Sequence, residues 1–282
     1  MPAAAIGITG ATGRLGRKVA ERLARAGVTQ RLIVRDGARA PALPGTEVSV
    51  AAYDDPAALA GALAEIETLF FVSASESPRR LDQHFTLIRS AASAGVRHIV
   101  YTSFFGAAPD ATFTLARDHW ATEQRLRETD MAVTLLRDNL YLDFFPMMVG
   151  QDNAIRGPAG QGRVAAVAQD DIADVAAAVL QHPPAHADRT YELTGPEALT
   201  LAGVAEALSR HFGREIRYVA ETLDEAYRSR AMYDAEKWQI DAWVSTYRAI
   251  AAGELERVTP DVERVSGHPP MSLERVLSGS IR

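Results

Sequence analysis

Three glycines spaced three apart, Gly10, Gly13 and Gly16, follow an apolar run over 3–8 and open directly into a helical pattern. Each has a chemical use at that spacing. Gly10 permits a tight turn, Gly13 lets a pyrophosphate approach the backbone, and Gly16 lets a helix pack closely on a strand. The first N–H groups of the helix are unsatisfied and carry a partial positive charge. With Thr12, Arg14 and Leu15 between the glycines, the stretch 10–16 therefore reads as a cradle for the phosphates of a dinucleotide.

Arg35 closes the second apolar run, where the adenosine ribose of such a ligand lies, and Arg39 follows four residues later. An acid at that place suits a free ribose, whereas arginine suits a 2′-phosphate, so the expected cofactor is NADP(H). Asp36 next to them leaves NAD(H) open. Ser73 and Ser75 follow the fourth apolar run and Thr102 lies at the end of the fifth. Small residues there let the backbone pass beneath a nicotinamide ribose, although serines also favour ordinary strand-to-loop turns.

For chemistry, the candidates are Ser103, which ends the fifth run, and His119, able to give a proton near neutral pH. The alternative for His119 is a helix histidine bonded to Glu123, four residues on and on the same face. On the substrate side stand Phe104, Asn139 and Tyr141, the last two inside the aromatic, methionine-rich stretch 139–148. Such a stretch lines an apolar pocket or forms an ordinary core between lobe and domain. Trp238, Trp243 and Tyr247 read as core. The acids Asp170, Asp171 and Asp174 read as helix capping. No histidines share a helical metal-ligand spacing, because Pro183 and Pro184 interrupt the pair His182 and His186. No metal is expected.

The elements that must hold these residues alternate. Strands are expected at 3–8, 31–35, 47–51, 68–73, 96–103 and 132–137, with helices between them. Asp55 and Pro56 form a helix start, and Gly27 and Gly95 form helix ends. Strands alternating with helices at this spacing make an α/β fold, a doubly wound parallel Rossmann sheet whose ligands bind at the carboxyl ends of the strands. Beyond Arg137 the rhythm loosens into a glycine-rich loop at 157–162, a helix over 170–180, short strands at 190–193 and 215–219, and a mainly helical stretch at 222–253. The expected organisation is an NAD(P)-binding Rossmann domain over 1–150 and a smaller C-terminal substrate-side lobe over 151–282, with segments returning to the main sheet.

Bulk properties narrow the function. A net charge of −6 without a long basic run argues against a nucleic-acid partner. The absence of cysteine excludes disulfides, thiolate nucleophiles and cysteine-held metals, and suits a reducing, cytoplasmic setting. A strand beginning at residue 3 leaves no room for a signal peptide, and no run of about 18 apolar residues spans a membrane. The expected partner is a small-molecule substrate, and a homodimer is compatible with the sequence.

The combination Gly-Ala-Thr-Gly-x-Leu-Gly at 10–16, Val-Arg-Asp at 34–36, Ala-Gly-Val-Arg-His-Ile-Val-Tyr-Thr-Ser at 94–103 and Thr-Leu-Leu-Arg-Asp-Asn at 134–139 resembles an atypical short-chain dehydrogenase. Within that superfamily it is similar to the NmrA-like group, and there to bacterial type-2 NADPH:quinone oxidoreductases and triphenylmethane reductases. Asp171 to Ala176, Leu193-Thr194-Gly195 and Ser266 to Pro270 extend the likeness over nearly the whole chain. The superfamily's Tyr-x-x-x-Lys is missing from the helix after strand five, which reads His119-Trp120-Ala121-Thr122-Glu123. Tyr233 and Lys237 show that spacing by chance, in the other lobe.

The resemblance implies NADPH bound at 10–16 with Arg35 and Arg39 near its 2′-phosphate. It also implies hydride transfer to a quinone or similar flat electrophile, without a Tyr/Lys pair. The stabilised oxyanion can take its proton from water, so positioning does most of the work. Ala52 stands where relatives often have an Asp near the adenine, and Asp138 replaces a frequent Asn. Some members of the group bind dinucleotide without turnover, so a redox sensor is the alternative function.

Overall fold

The structure, a computed structural model, describes residues 5–279. The chain runs β1 (Ile6–Thr9), α1 (Arg14–Arg25), β2 (Gln30–Val34), β3 (Thr46–Val50), α2 (Pro56–Ala62), β4 (Thr68–Phe71), α3 (Arg80–Ser93), β5 (His98–Phe104), α4 (Thr114–Arg127) and β6 (Ala132–Asp138). It continues through β7 (Ala154–Gly157), β8 (Arg163–Val164), α5 (Gln169–Gln181), β9 (Thr190–Leu193), β10 (Leu199–Thr200), α6 (Leu201–Phe212) and β11 (Arg217–Ala220). The last helices are α7 (Leu223–Arg230), α8 (Lys237–Ala251), α9 (Asp261–Ser266) and α10 (Leu273–Gly279). Of the strand expected over 3–8, residues 3 and 4 lie outside the described residues.

Seven strands make one parallel sheet in the order β3-β2-β1-β4-β5-β6-β9, flanked by helices. Ile8 of β1 lies opposite Leu32 of β2 and Phe70 of β4. The order therefore reverses between β1 and β4, and the crevice at their carboxyl ends is where a doubly wound sheet takes its ligand. Strands β4 and β5 are buried at every position, which fits the apolar runs at 69–71 and 99–101 within them. The edge strand β3 has no buried position, and its Val48 and Val50 are exposed.

The chain divides into two compact units. One comprises 1–103, 118–137 and 170–191; the other comprises 104–117, 138–169 and 192–282. The sequence suggests a cut at 150 with later segments returning to the main sheet; the two units interleave along the chain, and 104–117 and 138–150 group with the second. The cause is local: segments that follow strands β5 and β6 leave the first unit, and α5 returns to it.

In the first unit Phe71, Ile99, Tyr101 and Leu135 of the sheet pack with Leu59, Leu87, Ile88 and Leu126 of the helices. Each such burial contributes roughly 1.5–3 kcal/mol. Asp55 caps α2 as expected, accepting the N–H of Ala58 at 3.0 Å. The acids Asp170 and Asp174, expected as helix caps, direct their carboxylates to α1. They hold α1, with Lys18 2.8 Å from Asp170 and Arg22 bridging both carboxylates.

In the second unit β7 pairs in parallel with β11, and β8 pairs antiparallel with β10. Of these strands the sequence suggests only β11. Two of the others are two residues long, and β7 runs into a glycine-rich loop. The aromatic stretch winds into a 3-10 turn over Leu142–Met148 that contains Pro146, whose missing N–H disfavours a regular helix. Among the described residues no helix is long and apolar enough to cross a membrane.

Candidate functional site

In the first unit, β1 ends at Thr9 and the chain turns at Gly10 with φ +67°, a conformation costly for any side chain. The N–H of Gly13 closes the turn on the Gly10 carbonyl at 2.9 Å. A Cβ on Gly16 would lie 2.4 Å from that same carbonyl oxygen. Gly13 then caps α1 without any side-chain bond, and no acid occupies the helix's first turn. The leading N–H groups are thus left for an anion, as the phosphates of a dinucleotide require. Leu15 and Gly16 are buried beneath the turn, and Arg14 is exposed beside it.

A cleft of about 410 Å³ in the same unit brings together Gly10, Thr12 and Gly13 with Arg35, Arg39, Ser73 and Ser75. Arg35 lies just past the end of β2, and among the described residues neither it nor Arg39 is in a salt bridge. Asp36 is occupied elsewhere. Its carboxylate accepts the N–H of Ala38 at 3.0 Å and caps the turn that carries Arg39. Thr102 lies under the cleft wall, its Oγ1 accepting the N–H of Ser73 at 2.8 Å. Sequence reasoning missed Tyr53, whose hydroxyl lies 2.7 Å from both Thr9 Oγ1 and the Val72 carbonyl. Burial pushes its phenol up. The available signal was a tyrosine directly after the third strand.

The loop that follows β4 is held by α3. Ala74 donates its N–H to His84 Nε2 at 2.8 Å, and its carbonyl accepts Arg80 Nε at 2.9 Å. Arg80 also donates to His119 Nε2 at 2.8 Å, while His119 Nδ1 lies 2.9 Å from the Tyr101 hydroxyl. An imidazole nitrogen that accepts carries no proton, so both histidines are held neutral. Burial first, and the Arg80 charge second, push His84 and His119 well below the ordinary range. The expected contact between His119 and Glu123 does not form. Glu123 instead accepts the Ser103 hydroxyl at 2.6 Å and both arms of Arg137, at 2.8 and 2.6 Å. Ser103 and Glu123 are fully buried, and neither Ser103 nor His119 stands in the cleft wall.

The second unit contains its own cavity, about 280 Å³, walled by Tyr141, Phe144, Met148, Trp243 and Tyr247 among others. Two aromatics read as core from sequence, Trp243 and Tyr247, therefore also form a wall. The Tyr141 hydroxyl donates to Asp138 Oδ2 at 2.5 Å. Burial pushes the Asp138 carboxyl up to about 7, against the opposing hydrogen bond from Tyr141. Asn139 is turned inward, donating to the Leu255 carbonyl at 3.0 Å and accepting from Leu140 N–H at 2.8 Å. Phe104 packs in the unit's core with its ring 4.8 Å from Phe113. Of the three substrate-side residues, only Tyr141 stands in the cavity wall. Lys237 is turned to Asp241, which accepts its ammonium at 2.6 Å.

A glycine-cradled helix start beside two arginines that, among the described residues, form no salt bridge suits a dinucleotide without specifying a family. The sequence profile of the NmrA-like family matches residues 2–264. The chain belongs to the NmrA-like family. This NmrA-like protein is 32% identical over 267 residues to an NAD(P)H azoreductase of Xenophilus azovorans, with 93% of each chain covered. It is 31% identical to the NADPH-dependent quinone oxidoreductase QOR2 of Escherichia coli, solved in complex with NADPH, with a TM-score of 0.89. That match covers 98% of this chain and 100% of the other. The triphenylmethane reductase of Citrobacter sp., solved with NADP(H), is 29% identical with a TM-score of 0.87, covering 98% and 99% of the two chains.

Proposed function

We propose that this NmrA-like protein is an NADPH-dependent oxidoreductase that reduces quinones or similarly flat electrophilic acceptors by direct hydride transfer. The observation that carries it is the first unit's cleft, where an uncapped α1 start and the two arginines at 35 and 39 line one space. Gly10 to Gly16 hold the pyrophosphate through backbone N–H groups, and Arg35 and Arg39 hold the 2′-phosphate. With Asp36 occupied in its own turn, the free-ribose alternative loses its acid. Ser73 and Ser75, set by Thr102 and the Ala74 clamp, pass beneath the nicotinamide ribose. When bound, the cofactor supplies the hydride. The second unit's aromatic cavity has the apolar lining that a flat acceptor needs.

Ser103 and His119 support from within: each is hydrogen-bonded inside the unit, and their task is to position the sheet end and the Ala74 loop. The named relatives are reductases, which favours turnover over a sensor role. The test is NADPH oxidation, followed by loss of nicotinamide absorbance, against a panel of quinones and azo and triphenylmethane dyes, with NADH alongside. Turnover with NADPH supports the reading. Tight NADPH binding without turnover on any acceptor replaces it with the sensor.

A further inference from the structure

One polar side chain in the lining of the first unit's cleft has no task in the scheme above. It is Gln83, in the first turn of α3. We propose that Gln83 reads the base of the bound dinucleotide, its carboxamide pairing with the N6 and N7 edge of adenine, and so sets a preference for adenine over hypoxanthine. The assignment rests on the dinucleotide reading of this cleft and involves the first unit alone.

The place for a base follows from the strand ends. In a doubly wound sheet the adenosine ribose lies at the carboxyl end of the second strand, where Arg35 follows β2. Val34 of β2 lies opposite Val50 of β3, and Ala51 and Ala52 come directly after. With Ile33 and Val34 they give the cleft an apolar surface beside the ribose position, and neither alanine offers a polar side chain to a base. Such a surface suits the face of a purine, whose edge still needs hydrogen-bond partners.

Gln83 is held next to that surface. Arg79, one helical turn earlier, lies 3.1 Å from the carboxylate of Asp54, in the segment that follows Ala52. The Gln83 N–H donates to the Arg79 carbonyl at 3.0 Å, so the two residues share one face of the helix start. Gln83 is half-buried, and among the described residues its carboxamide makes no hydrogen bond. The neighbouring polar groups are engaged: Asp54 by Arg79, the Tyr53 hydroxyl by Thr9 and Val72, and Ser77 Oγ by the Arg79 N–H. Gln83 therefore has both its donor and its acceptor available to a ligand.

A carboxamide presents N–H and C=O side by side, and adenine matches them with its N7 acceptor and N6 amino donor. Hypoxanthine has a carbonyl in place of the N6 amino group. The glutamine carbonyl then faces another oxygen, and one bond of the pair is lost.

The test titrates the full-length wild type and Gln83→Leu with NADPH and with reduced nicotinamide hypoxanthine dinucleotide phosphate, followed by dihydronicotinamide fluorescence. The wild type should bind NADPH about tenfold more tightly than the hypoxanthine analogue. Gln83→Leu should lose about tenfold for NADPH but less than about twofold for the analogue, so the preference disappears. Displacement of NADPH by 2′,5′-ADP, which has the adenine and no nicotinamide, should show the same loss of about tenfold in the variant.

A wild type that binds NADPH and the analogue equally overturns the proposal, and that comparison needs no variant to fold. Equal losses of both ligands in Gln83→Leu, the result of a merely structural role, overturn it too. So does 2′,5′-ADP affinity unchanged by the substitution, which moves Gln83 away from the base. A wild type that binds no NADPH overturns the dinucleotide reading instead.

Discussion

His84 Nε2 accepts the backbone N–H of Ala74 at 2.8 Å, tying a buried side chain of α3 to the wall of the first unit's cleft. On its other side, Nδ1 lies 2.8 Å from Thr122 Oγ1, whose hydroxyl bonds the Asp118 carbonyl. The ring therefore has one allowed tautomer and no room for a second proton without breaking the clamp.

This gives a pH dependence with a definite sign. His84 and His119 sit well below their unfolded value, so between that value and their folded one the unfolded chain binds more protons. Their stabilising effect is complete above about pH 6.5 and declines as pH falls below it. Thermal unfolding should show Tm dropping from about pH 7 to about pH 5, and His84→Gln should flatten part of that drop. A variant with an unchanged slope would remove His84 from the account.

Arg35→Ala should weaken NADPH by about ten- to a hundredfold, the worth of a charge-assisted contact of roughly 1.5–3 kcal/mol, and leave NADH nearly unchanged. The motive is its place in the cleft wall just beyond β2, with Asp36 engaged in its own cap. Fluorescence titration with both cofactors decides it. Equal losses would detach the arginine from the 2′-phosphate.

Glu123 is fully buried and meets Ser103, Arg137 and Arg127, so it behaves as a structural anion. Glu123→Ala should cost about 1–3 kcal/mol in urea unfolding, because it removes the buried charged acceptor that Ser103 and the half-buried Arg137 share. Ser103→Ala should cost about 1–2 kcal/mol, since Arg137 still covers the same carboxylate oxygen. Quinone reduction by Ser103→Ala should stay within about threefold of wild type. A hundredfold loss with the fold intact would restore the serine to the chemistry.

What the sequence made legible follows from periodicity and local turn chemistry. The glycine cradle, the alternation of strands and helices, and Arg35 and Arg39 in one cleft all depend on neighbours close in sequence, which spacing encodes. The partners of His119 and Ser103 were not legible in the same way. Glu123 at four residues from His119 satisfied the helical rule, yet burial let Ser103, 20 residues away, and Arg137, 14 away, claim it. Asn139 and Tyr141 looked equivalent, two polar groups on one stretch. The backbone directed one inward to Leu255 and the other into the cavity wall.

The sharpest separation of stability from cofactor binding comes from two glycines three residues apart. A Cβ on Gly16 would sit 2.4 Å from the Gly10 carbonyl oxygen and 2.9 Å from Ala11 N. Both are backbone atoms, so α1 must move off β1 to accept it. Gly16→Ala should therefore cost about 1–3 kcal/mol of stability and weaken NADPH as well. A Cβ on Gly13 meets only the Gly10 oxygen, at 3.3 Å, and Gly13 sits at the helix cap with extended φ and ψ that any residue can adopt. Replacing glycine by alanine at such a cap costs less than about 1 kcal/mol. Gly13→Ala should thus unfold almost like wild type and yet lose NADPH affinity by tenfold or more, because the methyl takes space that the pyrophosphate needs, a loss of about 1.4 kcal/mol. Paired urea curves and titrations read both quantities. Gly13→Ala binding NADPH as wild type would move the phosphates away from this turn.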